Sequence, residues 1–237
     1  VVKNKTGAGG IVAMKYILEQ PADGYTLFAT TKSVVYKVVT AKSDVDLGQF
    51  EWTAMTQSDP EAIITNRKSD VHTWEQVVAD DHVMAMKTWK AAGITGKYIP
   101  FKGGKNAMIE VLGQRGIVYV GNPRDIIGQP DLMIAALSRE QRLEAFPDAP
   151  LFKELGVAGL DNEVMWRGFA IKKGIPVDAR AFYRNLFDSL QTDPEWLAHV
   201  GAMSIDPVYY GPEEFYDVVE RDQAEVTDWA TKAGILD

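Results

Sequence analysis

The chain has 237 residues, 46% of them apolar and 24% charged, the proportions of a globular protein able to bury a sizeable core. A net charge of −8 and a pI near 5.0 argue against nucleic acid or an anionic membrane as partner. There is no cysteine, which excludes disulfides, thiolate nucleophiles and zinc–thiolate sites, and no stretch reaches the roughly 18 apolar residues of a membrane span.

Val1-Val2-Lys3 reads as the end of a strand, and the opening residues given do not read as a signal peptide. Thr6-Gly7-Ala8-Gly9-Gly10 follows, with three glycines in four residues, a backbone that takes positive φ and lies close to a ligand. The next ten residues carry Ile11, Met14, Tyr16, Ile17 and Leu18 at amphipathic-helix spacing. A glycine loop opening a helix presents free N–H groups and the positive end of the helix dipole, an arrangement that suits a carboxylate or phosphate. The same glycines serve equally as a tight turn without ligand. Pro21-Ala22-Asp23-Gly24 is a turn by composition, residues 25–30 read as a strand, and Thr30-Thr31-Lys32-Ser33 reads as a polar loop.

Asn4-Lys5-Thr6-Gly7-Ala8-Gly9-Gly10, the helix, and Ala22-Asp23-Gly24-Tyr25-Thr26-Leu27 together resemble the solute-binding proteins of tripartite tricarboxylate transporters, the TctC or Bug receptors. Their pattern is an Asn-Arg-Pro-Gly-Ala-Gly-Gly loop, a helix and Pro-Asp-Gly-Tyr-Thr-Leu; Thr6 replaces the usual Pro. By that resemblance an earlier strand and ligand loop precede Val1, so the sequence is expected to lack an N-terminal portion.

Residues 34–39 fit a helix or a buried strand. Residues 50–55 begin a strand and residues 62–66 form another, entered through Asp59-Pro60. Thr73 with Gln76 is a capping box for a further helix. The run through Asp80-Asp81-His82 then lacks the strand and ligand loop that the family has between two helices, and Gly128-Gln129-Pro130-Asp131 is also shorter than the family's connection. At the first, either half of a binding site is lost or a segment is omitted, and omission is expected; the second reads as a further place where either applies. Lys97-Tyr98-Ile99-Pro100-Phe101, Lys102-Gly103-Gly104-Lys105-Asn106 and residues 107–113 read as strand, loop and helix, the last ended by Gly113. They resemble the receptors' Val-Pro-Tyr-Lys-Gly motif. A P-loop is excluded because Asn106 stands where Ser or Thr must ligate Mg²⁺.

Residues 114–125 read as a strand and then a polar loop, the place where open α/β sheets hold ligands. Arg124 in that loop has a fork matching a carboxylate, or pairs with Asp125 or a surface acid. Residues 132–137 are a strand, and Phe146-Pro147-Asp148-Ala149-Pro150 resembles the family's Leu-Pro-Asp-Val-Pro. Residues 164–171 are a strand that, by resemblance, returns to the first domain. Helices are predicted over 177–190, from Asp193-Pro194, and from Gly211-Pro212 to about Ala233.

Enzyme signatures are missing. His72, His82 and His199 make no metal spacing, there is no Gly-x-Ser-x-Gly, and Val12 breaks any Gly-x-Gly-x-x-Gly. Tryptophans and methionines sit at core-like spacings, with Trp166 left open as a possible exception.

The resemblance implies an α/β, two-lobed periplasmic binding protein of the Venus flytrap, type II-like kind, each lobe a mixed sheet flanked by helices. Domain 1 is expected to take residues 1–64 and 165–237, and domain 2 residues 65–164. The ligand is expected to be a small carboxylate, di-, tri- or aromatic, delivered to the membrane permease of such a transporter. The expected binding residues are Gly7, Ala8, Gly9, Gly10, Thr30, Thr31 and Ser33 on one lobe, with Lys102, Gly103, Asn122 and Arg124 on the other. Lys32, Lys102 and Arg124 as cleft cations point to a di- or tricarboxylate. A monomeric periplasmic protein of a Gram-negative cell is expected, without cofactor, metal or catalytic residues. An enzyme on the same scaffold and a ligand sensor for a membrane histidine kinase stay open as alternatives.

Overall fold

The computed structural model describes residues 1–68, 104–114, 118–232 and 234–236. The predicted capping box at Thr73, the strand at 97–101, His72, His82, the link at Asp81, and Lys102 and Gly103 lie outside the described residues. The chain divides into two compact units: Val1–Ser58 with Trp166–Gly201 and Asp206–Asp237, and Asp59–Met165 with Ala202–Ile205.

The first unit is built on a four-stranded sheet in the order β1-β6-β2-β7, with β1 at Leu27–Thr31, β2 at Phe50–Pro60, β6 at Val164–Lys172 and β7 at Asp206–Tyr210. β1 pairs antiparallel with β6, and β2 with β7. Helices α1 (Ile11–Glu19), α2 (Lys32–Thr40) and α6 (Pro212–Lys232) contribute Met14, Val35 and Phe215 to one core, which Phe28, Phe50, Trp52 and Trp166 complete from the sheet. Trp166 meets Phe215 edge to face with ring centroids 5.0 Å apart, and Trp52 meets Phe215 at 5.5 Å, so three large rings lock sheet to helix. Trp166 is therefore a packing residue, which settles the question its sequence position left open. Elsewhere in the unit Phe169 of β6 stacks at 4.8 Å on Phe187 of α4 (Val177–Ser189).

Local signals explain how these elements stop and start. Gly24 takes φ +87, Asp23 accepts a hydrogen bond from the Tyr25 N–H, and the Gly24 carbonyl accepts from the Tyr183 hydroxyl at 2.6 Å. Lys172 closes the end of α1 by donating to the Leu18 and Gln20 carbonyls. Asp193 caps α5 (Pro194–Ala202) by accepting from the Trp196 N–H at 2.7 Å. Strand β7, between α5 and α6, has no counterpart in the sequence reading, and residues 1–3 form no strand.

In the second unit, strand β3 (Ala62–Asn66) lies between β4 (Val118–Gly121) and β5 (Leu132–Leu137), antiparallel to both. Every residue of β3 is buried, as the central position requires. Helix α3 (Gly104–Leu112) sets Ala107 and Val111 on this sheet beside Ile64, Tyr119 and Leu132. Its end is tied by Asn66 Nδ2, which donates to the Val111 and Leu112 carbonyls. Gln114 at φ +56, rather than Gly113, takes the left-handed position there. The short connection at Gln129 is a tight turn closed by bonds from Gln129 N–H to Ile126 and from Leu132 N–H to Gln129.

Candidate functional site

The glycine turn has four consecutive residues at positive φ: Gly7 at 135°, Ala8 at 46°, Gly9 at 61° and Gly10 at 99°. It also leaves no room for side chains. A Cβ on Gly9 meets Lys37 Cγ at 2.6 Å, and one on Gly10 meets Val34 Cγ1 at 2.7 Å. Lys37 and Val34 belong to α2, so the turn that opens α1 is pressed against α2 from Val34 in its first turn to Lys37 in its last. The starts of two helices are thereby neighbours.

Neither start is neutralised. α1 and α2 have no acidic residue in the first turn and no side-chain hydrogen bond at the N-cap, which are Gly10 and Thr31. Their dipoles favour an anion at each start, while the Gly10 and Ile11 N–H groups already donate to the Gly7 and Ala8 carbonyls. Residues 7–9 and Ser33 are exposed, and Thr31 Oγ1 and Ser33 Oγ lie 2.7 Å apart in a mutual hydrogen bond. The expected polar loop at residues 30–33 is instead the end of β1 joined directly to the first turn of α2, because Thr31 stays extended as N-cap and no residue intervenes. Thr30 faces inward, 5% exposed, with its Oγ1 buried.

Lys32 departs from its expected role as a ligand cation. It is buried, its ammonium lies 3.8 Å from Asp222 of α6, and Asp222 also accepts from the Trp166 indole N–H at 2.6 Å. The Tyr36 ring lies under the same ammonium, 5.4 Å from centroid to Nζ. A buried cation needs such a counter-charge, and only the tertiary packing of α2 on α6 supplies it.

In the second unit, Asn122 and Arg124 follow β4 in a 3₁₀ turn at Pro123–Ile126. Asn122 is buried, and its Nδ2 donates to the Pro60 carbonyl at 3.1 Å. Arg124 lies 3.7 Å from the buried Asp59 carboxylate. Asp125, one of the acids weighed for it, instead accepts from the Tyr119 hydroxyl and the Asn122 N–H.

The residue that sequence reasoning missed is Arg167. In sequence it is one residue of a strand, and the β1–β6 register sets it directly opposite Thr31. Directly opposed residues of an antiparallel pair share one face, so Arg167 stands on the Thr31 side of the sheet. It is half-buried, and burial lowers its guanidinium to about 10, still charged at neutral pH. The alternation of Trp166, Gly168 and Ala170 against Arg167 and Phe169 was visible in sequence; the strand opposite was not.

Among the described residues no three His, Cys, Asp or Glu side chains come together as a metal site, and no helix is long and apolar enough to cross a membrane.

The architecture is the α/β fold of periplasmic binding proteins, and the resemblance to TctC and Bug solute-binding proteins extends over nearly the whole chain. A TctC solute-binding protein from Polaromonas is 21% identical with a TM-score of 0.73, over 98% of this chain and 86% of that one. A protein from R. palustris with adipate is 16% identical with a TM-score of 0.86, over 99% and 86%. MatC from Rhodopseudomonas palustris with bound malate is 14% identical with a TM-score of 0.78, over 94% and 84%. Among curated proteins, the UPF0065 protein in the gbd 5′ region of Cupriavidus necator is 22% identical over 245 residues, 91% of this chain and 72% of that protein. No family model matches the chain.

Proposed function

We propose that this protein is an extracytoplasmic receptor that captures a small carboxylate, with a di- or tricarboxylate favoured over a monoacid, and delivers it to a membrane permease. The observation that carries the reading is the meeting of two uncapped helix starts at the glycine turn. In a chain of net charge −8 an anion must be held by local donors, and this is where such donors converge. The N–H groups of Ala8 and Gly9 and the hydroxyls of Thr31 and Ser33 hold one carboxylate in this proposal, with Gly7 and Gly10, joined by the bond from the Gly10 N–H to the Gly7 carbonyl, supplying the turn and Thr30 backing it. Asn122 and Arg124 of the second unit, and Lys102 and Gly103, belong to the proposal as further ligand contacts. Adipate and malate in two structural neighbours support the carboxylate class. Periplasmic location, a monomeric state and a binding rather than catalytic role are part of the same reading.

A thermal-shift series with mono-, di- and tricarboxylates tests it. A ligand at 100 times its Kd stabilises the fold by about 2.7 kcal/mol, a clear rise in melting temperature. The expected result is a rise confined to a few carboxylates, larger for diacids than for monoacids of equal length. A folded protein that responds to none of them refutes the receptor reading, and a new product formed from a ligand would establish an enzyme instead.

A further inference from the structure

We infer that Arg167 grips a carboxylate of the ligand alongside Thr31 and Ser33 and so determines how tightly this receptor binds its acid; the inference rests on the carboxylate-receptor reading above.

Three observations lead there. First, the register places Arg167 opposite Thr31, the N-cap of α2, whose hydroxyl is bonded to Ser33. Guanidinium, two hydroxyls and a helix start therefore share one end of one sheet face. Second, the opposite face is closed at the next rung. Thr30 pairs with Gly168, and a Cβ on Gly168 meets the Ala54 carbonyl at 2.5 Å and the Phe215 ring at 2.7 Å. Gly168 therefore carries no side chain on that face and Trp166 beside it is packed into the core, whereas Arg167 stands on the Thr31 side. Third, the chemistry fits the ligand class. The guanidinium fork matches the two oxygens of a carboxylate, and a cation partly withdrawn from water attracts an anion more strongly than one on an open surface. Burial is also what lowers Arg167 from the ordinary arginine range while leaving it charged at pH 7.

Adipate and malate are titrated calorimetrically into the wild type, Arg167→Gln and Arg167→Lys, at two salt concentrations. Loss of a charge-assisted hydrogen-bonded pair is expected to weaken the bound diacid about tenfold or more in Arg167→Gln. Arg167→Lys, which keeps the charge but not the fork, is expected to fall between the two. Wild-type binding is expected to weaken with salt more steeply than that of Arg167→Gln, a difference a purely structural arginine does not produce. If the wild type binds a diacid and Arg167→Gln binds it within about twofold, the Arg167 assignment is wrong and the receptor reading stands. If the wild type binds no carboxylate, both fall. Should Arg167→Gln fail to fold, Arg167→Lys decides, and affinity equal to wild type overturns the assignment.

Discussion

Replacing Gly10 by alanine measures how firmly the glycine turn is pressed against α2. Gly10 sits at φ 99°, ψ −14°, a left-handed conformation that costs an L-residue about 1–2 kcal/mol. The new Cβ would also stand 2.7 Å from Val34 Cγ1. Val34 is buried and β-branched in a helix, so its rotamer cannot turn away, and relief by a backbone shift costs about 1–3 kcal/mol more. The total is about 2–5 kcal/mol. Gly174→Ala is the matched control: φ is +96° in the same unit, and nothing lies within 4 Å of its Cβ. It carries the conformational cost alone. In a chain of this size 1 kcal/mol moves the melting temperature by about 2–4 °C, so Gly174→Ala is expected to lower it by about 2–8 °C and Gly10→Ala by clearly more. Both are read by thermal unfolding followed by circular dichroism. A Gly10→Ala protein no less stable than Gly174→Ala would refute the close packing of turn on helix.

Two further outcomes follow from charges that the fold places. Asp222→Ala strands the buried Lys32 ammonium and is expected to cost about 3–5 kcal/mol in urea unfolding, whereas Lys32→Met with Asp222→Asn, which keeps an acceptor for the Trp166 indole N–H, recovers part of it. A single mutant as stable as the double would remove the pair from the account of this core. Burial raises the Glu51 carboxyl, but hydrogen bonds from the Arg180 guanidinium and the Gly174 N–H outweigh it and hold the group below its ordinary 4.5. With the folded value below the unfolded one, Glu51 contributes fully above pH 4.5 and loses its contribution as pH falls through the folded value. The melting-temperature advantage of wild type over Glu51→Gln is therefore expected to shrink below that pH; a gap constant through the acid range would show that the ionised carboxylate is not the source.

Much of the first unit was legible because its signals are local. Three glycines in four residues announced a turn at residues 7–10, and the structure supplies the reason in four positive φ values and three blocked Cβ positions. Asp23-Gly24 announced the next turn, and Asp193-Pro194 and Gly211-Pro212 announced helix starts found at Pro194 and Pro212. Less legible was residues 30–33: hydroxyl-rich composition looks like a loop, yet an extended Thr31 passes directly into α2. Strand β7 was missed because Asp206–Tyr210 is short, opens on an Asp-Pro pair and shows no clean alternation, and its place comes from pairing with β2.

What the chain determined by itself is the set of positions where only certain backbone angles are open: glycine where φ is positive, proline at a helix start, alternating or helical spacing where one face is buried. These are properties of neighbouring residues and survive in any context. Charge partners are different, because an arginine or lysine in a sequence has no preferred acid until distant segments meet. The tertiary structure put Asp222 on Lys32, Asp59 beside Arg124, and Arg167 opposite Thr31. Burial then made each choice consequential, since a charge withdrawn from water must be met by a specific group rather than by solvent.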